Sequence, residues 1–499
     1  MGPLMRPLRK LLPPFSKSTF TTFEEPIRAE IFSTSRLEQH AESLARAQTI
    51  IFDPRKGRSL EARTEENAWV LEEAFRELLE SVEEKRAITP ASEWLIDNFH
   101  IVRAQLKDIK EHLPPEYYRE LPKIAQGQLT GLPRVYGIAW AFVAHTDSRF
   151  EPELLKIFLA AYQRIQPLTI GELWALPITL RLVLIENLRR IAAKLIGSQR
   201  SRFDADQIAD SLLGVGEVAP QKVEDAVELL KHRPISQAFA VQILQRLRFQ
   251  EARVGALLNF IDERLISEHR DIEALVTTEH LSQGSANVTV RNIITSSRLM
   301  SAYDWTEFFE AESYVDKVLR DGSNFAAMDF ATRDRYRHAL ELLARRSTFS
   351  EIEIAKRVIE VARANDRDPG FYLIDDGRKE FEKSIHFRAS LRQSAIRWYV
   401  EHAAIVYLGS IFILTAALGD LVLDSGVSSE TPVVLSVIIA FCIFLLSSEV
   451  SISIVNRLTV AVLGPKHLPR LKYERGLPPE CRSFIVGPTI FSVANGFRV

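Results

Sequence analysis

Three clusters of side chains in this 499-residue chain could do chemistry, and each has a plainer structural reading. The first is His145, Thr146 and Asp147, an imidazole, a hydroxyl and a carboxylate in consecutive positions. The second spans residues 325–338, where Phe325 and Phe330 alternate with Asp329, Arg333, Asp334, Arg335, Tyr336, Arg337 and His338. Arginine forks bind phosphate and aromatic rings stack on sugars and bases, so that mix could grip a nucleotide or a glycan. A salt-bridge seam between helices uses the same residues. The third is Gln393, Arg397 and Trp398. It approximates the Q-x-x-R-W acceptor motif of processive membrane glycosyltransferases with one residue too many. An interfacial tryptophan beside a basic residue is an ordinary membrane anchor.

No H-x-x-x-H or H-E-x-x-H pair occurs, so nothing in the spacing brings three or four metal ligands together. Phosphate loops of the G-x-G-x-x-G and G-x-x-x-x-G-K-[ST] kinds are absent. Catalytic, cofactor-binding and metal residues are therefore assigned as none. Lys and Arg total 63 against 65 Asp and Glu, a balance without the basic excess of a nucleic-acid binder. Two cysteines, Cys442 and Cys481, fit neither a disulfide framework nor a zinc module.

The elements that must position these clusters read as helices. Residues 1–32 hold five prolines and no periodic apolar pattern, and are read as a flexible lead-in. Ser35 with Glu38, Thr169 with Glu172, and Thr348 with Glu351 have the spacing of capping boxes. Thr89-Pro90 opens an apolar stripe running to Leu113, and Pro133 opens another helix. The stretch through Ile178, Leu182 and Leu188 is apolar enough to raise a membrane span, kinked at Pro177. Arg181, Glu186, Arg189 and Arg190 favour a buried core helix, because charges are costly in lipid. Residues 287–294 are the one weak strand candidate.

Two apolar runs dominate the C-terminal part: 403–423, and 433–448, which reaches spanning length by continuing to 453 with Glu449 expected at the interface. About 20 apolar residues cross a bilayer core. Arg388, Arg392 and Arg397 precede the runs, and Arg457, Lys466, Arg470, Lys472 and Arg475 follow them. The connection carries Asp424 and Glu430 and no cation, so both flanks are expected in the cytoplasm. The alternative is a helical hairpin buried in a soluble domain. Beyond it, residues 482–490 look like the first buried strand of an α/β domain. The expected fold is all-α: a helical cytoplasmic domain over 33–385, a juxtamembrane helix and transmembrane hairpin over 386–463, and an incomplete α/β start over 464–499.

Several long words, EPIRAEIF at 25–32, RLEQHAESLA at 36–45, EWLIDNFH at 93–100, YYRELPK at 117–123 and PRVYGIAW at 133–140, resemble the N-terminal region of bacterial cyclic β-1,2-glucan synthases. HTDSRF at 145–150, QPLTIGELWA at 166–175 and AMDFATRDRYRH at 327–338 are similar to the same region. The resemblance implies a large bacterial inner-membrane enzyme whose cytoplasmic glycosyltransferase domain uses UDP-glucose and a divalent metal. Val486, Gly487, Pro488 and Thr489 fit the start of that domain, and residues 492–499 depart from it. None of the family's catalytic residues has a matching position here. The expectation is a non-catalytic, membrane-anchoring part of such a synthase, multi-pass with both termini cytoplasmic, with the lipid bilayer, the rest of the synthase and a glucan as partners. A free-standing membrane-tethered scaffold that binds a glycan or another protein is the alternative.

Overall fold

The computed structural model describes residues 24–52, 57–215, 222–248, 250–267, 271–426, 432–464 and 470–471. Among them 21 α-helices account for nearly all regular structure. The only sheet among the described residues pairs β1 (Ile50–Ile51) antiparallel with β2 (Lys123–Ile124), Ile50 opposite Ile124. The all-α expectation holds. The strand read at 482–490 lies outside the described residues.

The chain divides into two compact units, residues 1–313 and 314–499. In the first, α8 (Ile170–Leu213) is the axis, 44 residues and about 66 Å long at 1.5 Å per residue. Thr169 and Glu172 close its capping box, and Gly214 ends it in the left-handed conformation that glycine adopts freely. It runs on through Pro177. Leu176, Leu180, Leu184 and Leu188 are buried, as are Arg181, Glu186 and Arg189, with Arg190 half-buried, because α2 (Leu60–Glu83), α4 (Phe99–His112), α6 (Arg134–His145), α10 (Gln237–Leu247) and α12 (Ile272–Ala302) surround it. The core-helix reading of this stretch is thus the observed one. A second cluster in this unit joins the end of α8 to α9 (Val223–Lys231), α10 and α11 (Glu251–Ser267) through Leu230, Phe239, Leu257 and Ile261.

Local departures have local causes. The first helix, α1 (Thr34–Ala47), starts at Ser33, so Ser35 lies inside it and makes no capping box with Glu38. The stripe at 89–113 is two helices, α3 (Pro90–Asp97) and α4, because Asn98 donates its side-chain amide back to the Trp94 carbonyl. Residues 287–294 are helical, inside α12. Residues 24–32 do not fit a flexible lead-in. Ile27 is 3% exposed, its backbone N–H donates to Asn187 Oδ1 at 2.7 Å, and Ala29 and Phe32 donate to the carbonyls of Ala144 and His145. Residues 1–23 lie outside the described part.

The second unit packs α14 (Tyr314–Gly322), α15 (Phe330–Arg345), α16 (Glu351–Ala364), α17 (Pro369–Ile374) and α18 (Arg378–Ser384) around Leu319, Phe325, Leu340, Val358 and Leu373. Ser350 and Glu353, not Thr348 and Glu351, form the capping box of α16. The unit continues through α19 (Leu391–Glu401) into α20 (Ala403–Gly426) and α21 (Val433–Leu463), which lie against each other.

Candidate functional site

His145, Thr146 and Asp147 form the corner where α6 ends. Thr146 donates to the Phe142 carbonyl, and Asp147 and Ser148 take positive φ of 48° and 63°. Such backbone is costly for residues other than glycine, so neighbours must hold it. Asp147 accepts from Arg28 at 2.9 Å, Thr289 at 2.7 Å and Asn292 at 3.1 Å, while Asn187 donates to Ser148 at 2.9 Å. His145 Nδ1 donates to the Glu30 carbonyl at 2.8 Å, and the ring stacks on Phe32 with ring centres 3.9 Å apart. His40 lies 4.4 Å from it, and burial with that second imidazole lowers the His40 pKa. These groups point at one another, tying residues 24–32 and α12 to the end of α6. Among the described residues no group of three metal-ligating side chains gathers.

The strongest electrostatics sit on α8. Glu186 is fully buried and takes hydrogen bonds from Arg63 on α2, from Arg190 at 2.8 Å and from the Tyr136 hydroxyl at 2.9 Å. Burial alone would raise its carboxyl, but the two guanidinium groups overcome that and hold it at about 2. The Arg63 pKa is raised by its hydrogen bond to Glu186, against the opposing effect of burial. Burial is the main reason the Tyr136 hydroxyl is pushed up. A second buried pair joins Arg134 at the start of α6 to Glu172, Nε to Oε1 2.7 Å, while Arg134 also donates to the Pro167 carbonyl at 3.1 Å. Arg181 reaches Asp108 at 3.1 Å and Gln105 at 2.8 Å; burial lowers its pKa, partly offset by that carboxylate. Separations of 38 to 123 residues make these pairs long-range clamps, a structural use of charge.

The aromatic and arginine cluster at 325–338 is a seam within the second unit. Arg337 forks onto Asp316 of α14 at 2.9 and 2.6 Å, with the Phe325 and Phe330 rings 5.6 and 5.4 Å from its guanidinium carbon. Both partners are buried, the geometry that favours arginine over lysine. Asp329 caps α15 by accepting from the Thr332 N–H, and Tyr336 donates to Asp368 at 2.6 Å. The inter-helix seam is the observed arrangement.

Gln393, Arg397 and Trp398 likewise have structural partners. Gln393 closes a capping box with Ser390, and Arg397 forks onto Glu382 at 2.6 and 2.7 Å. Trp398 is left 56% exposed, stacked on His402 just before α20.

A cleft in the first unit lies apart from these clusters. About 390 Å³ in volume, it lies between the Arg149–Glu151 segment and α12, bounded by Asn287, Arg291, Thr295 and Leu299. Arg149 and Glu151 pair across 3.5 Å, and Arg291 lies over the Trp94 ring. Sequence spacing offered no sign of it, since its walls are about 140 residues apart.

The most distinctive surface belongs to α20 and α21. Both are long and apolar enough to cross a membrane, and only 11% of each apolar window is buried. Ile405 is 75% exposed, Phe412 71%, Val434 74% and Phe441 61%. A hairpin buried in a soluble domain would show the reverse, so that alternative is not what the described residues form. The seam between the helices is built of small and hydroxyl residues: Thr415, Gly419, Ser447 and Ser451 are buried there. Small residues let apolar helices approach closely without help from water. Tyr407 donates to Asn456 at 2.6 Å and Tyr399 contacts Thr459 at 3.1 Å, which sets the antiparallel register. The second helix extends to Leu463, ten residues past the expected limit at 453.

Comparison with known proteins agrees with the words picked out of the sequence. The chain is 32% identical over 482 residues to the cyclic beta-(1,2)-glucan synthase NdvB of Rhizobium meliloti (strain 1021), a match covering 94% of the chain. It spans only 17% of the length of that relative. No protein-family model matches the chain. The resemblance to cyclic β-1,2-glucan synthases therefore extends over nearly the whole chain, and corresponds to a minor part of the relative.

Proposed function

We propose that this chain is the helical, membrane-anchoring part of a cyclic β-1,2-glucan synthase and does not itself transfer glucose. The observation that supports this most is the pairing of a synthase resemblance along 94% of the chain with one exposed apolar hairpin. In this reading α20 and α21 cross the bacterial inner membrane and both flanks stay in the cytoplasm. The basic residues before α20 and after α21, against an acidic connection, favour that orientation. The partners are the bilayer and the remainder of the synthase, where UDP-glucose and a divalent metal would be used; nucleic acid is not among them.

The buried charges fit the same role. Glu186, Glu172 and Asp316 are each consumed by arginine, leaving none of them placed to act as a general base on a bound sugar. Membranes carrying this chain as the sole synthase-related protein, given labelled UDP-glucose and magnesium or manganese, should yield no labelled glucan above vesicles without it. Linear or cyclic glucan made by those membranes would overturn the proposal.

A further inference from the structure

Among the described residues the hairpin carries two exposed carboxyls that its own packing does not engage, Asp420 six residues before the end of α20 and Glu449. Glu449 stands near the middle of α21, exposed, on the side turned away from α20. The α20 contact runs through Ser447, Ser451 and Val455, all buried, and a step of 100° per residue puts Glu449 roughly opposite them. Arg457, next to the Tyr407–Asn456 bond, must reach water, so it marks the inner edge of the lipid. Glu449 is eight residues further in, about 12 Å of helix, too deep for a short side chain to reach that edge.

Around it the exposed residues repeat by three and four. Leu435, Ile438, Cys442, Leu445, Glu449 and Ile452 form a stripe of alternating spacing 3, 4, 3, 4, 3, the pattern of a seam between two helices crossing at a small angle. The apolar members are 41–54% exposed, so the stripe is formed and uncovered.

From this we infer that the stripe is a self-association face, and that its occupant is α21 of a second copy of this chain. The argument is one of complementarity and depth. A carboxyl in lipid needs a hydrogen-bonding partner at its own level. Copies inserted in one orientation are related by a two-fold axis along the membrane normal, which places Glu449 of each at the same depth. Two carboxyls holding a proton between them are self-complementary, since one donates where the other accepts. No lysine or arginine lies within the stripe to serve instead. The inference rests on the membrane reading above, and adds the partner to it.

The test uses the whole chain with Cys481 replaced by alanine, reconstituted in phospholipid vesicles at decreasing protein-to-lipid ratio. Cys442 lies one heptad from Glu449 on the same stripe, so mild oxidation should link two copies through it. A cysteine at Leu421 on α20, near the same depth by the Tyr407–Asn456 register, should not link in a Cys442→Ala background. Glu449→Gln keeps a group that donates and accepts, and should retain the cross-link. Glu449→Leu should weaken association about three- to twenty-fold, the range measured for hydrogen bonds between membrane helices. Cross-linking at Leu421→Cys equal to that at Cys442, or an undiminished dimer in Glu449→Leu, would overturn the inference. So would a monomer at every ratio, which is also the result if another protein's helix fills this face. Alkaline extraction of the same vesicles separates the two readings: a chain that washes off has failed as a membrane protein, and one that stays but remains monomeric has failed only here.

Discussion

Glu186→Gln is expected to destabilise the first unit by about 3–5 kcal/mol, because it leaves the Arg63 and Arg190 guanidinium groups facing a neutral amide in a buried setting. The pair as a whole adds little over an apolar core of equal volume; removing one partner is what costs, since the remaining charges keep their desolvation. In thermal unfolding of the full chain in detergent, followed by tryptophan fluorescence, the first transition should fall by on the order of 10 °C. Glu153→Gln, which breaks an exposed ion pair with Lys156, should move it by no more than about 1–2 °C. Equal shifts for the two variants would mean that Glu186 is not the clamp described. The pH dependence has a definite sign. The Glu186 carboxyl is depressed from 4.5 to about 2, so its contribution is complete above the unfolded value and is lost as pH falls from about 4.5 through about 2. Wild type should lose stability over that window more steeply than Glu186→Gln.

The second large effect belongs to the hairpin. Phe412→Lys puts a cation in the middle of α20 on its outer face, at a position 71% exposed. In water such a change is worth at most about 0.5 kcal/mol, and would improve solubility. In lipid it costs about 2.5–3.5 kcal/mol on insertion scales, more than a hundred-fold in partition at the upper end. The membrane-integrated fraction of the variant, measured after alkaline extraction, should drop sharply, while Phe412→Leu should match the wild type. A lysine variant that integrates as well as wild type, or a wild type that never integrates, contradicts the bilayer assignment.

Much of this fold was legible because helix signals are local. The capping box at Thr169 and Glu172 and the proline start at Thr89-Pro90 depend on three or four neighbouring residues, and both stand as read. The apolar runs at 403–423 and 433–453 needed only length and composition. Where the reading slipped, several candidates competed within one turn. Ser33, Thr34 and Ser35 can each cap a helix, as can Thr348 and Ser350, and packing of the helix body decided among them. Asn98 interrupts an unbroken apolar stripe through one side-chain hydrogen bond that periodicity does not register.

The clamps were out of reach for a different reason. Glu186 meets Arg63 across 123 residues and Asn187 meets Ile27 across 160, and no spacing rule pairs residues so far apart. The burden of charge on α8 did show that this helix is not a membrane span, though not what neutralises it. The proline-rich start concealed the packing of residues 24–32 because their order comes from the Ala144–His145 backbone and Asn187 rather than from any periodicity of their own. The words that carry the synthase resemblance include Arg134, Tyr136, Asp147, Glu172 and Arg337, each engaged in a buried polar contact. In this chain those words belong to the framework that holds the region together.

The most direct test of the account is the side of the membrane reached by the connection between α20 and α21. A single-cysteine or epitope tag placed between Asp424 and Glu430, in a chain expressed in bacteria, should be labelled in intact spheroplasts by a reagent that does not cross the membrane, while a tag before Arg388 should be labelled only after lysis. A connection that stays protected until lysis, or a chain recovered from the aqueous phase without detergent, would contradict the hairpin and the anchoring role built on it.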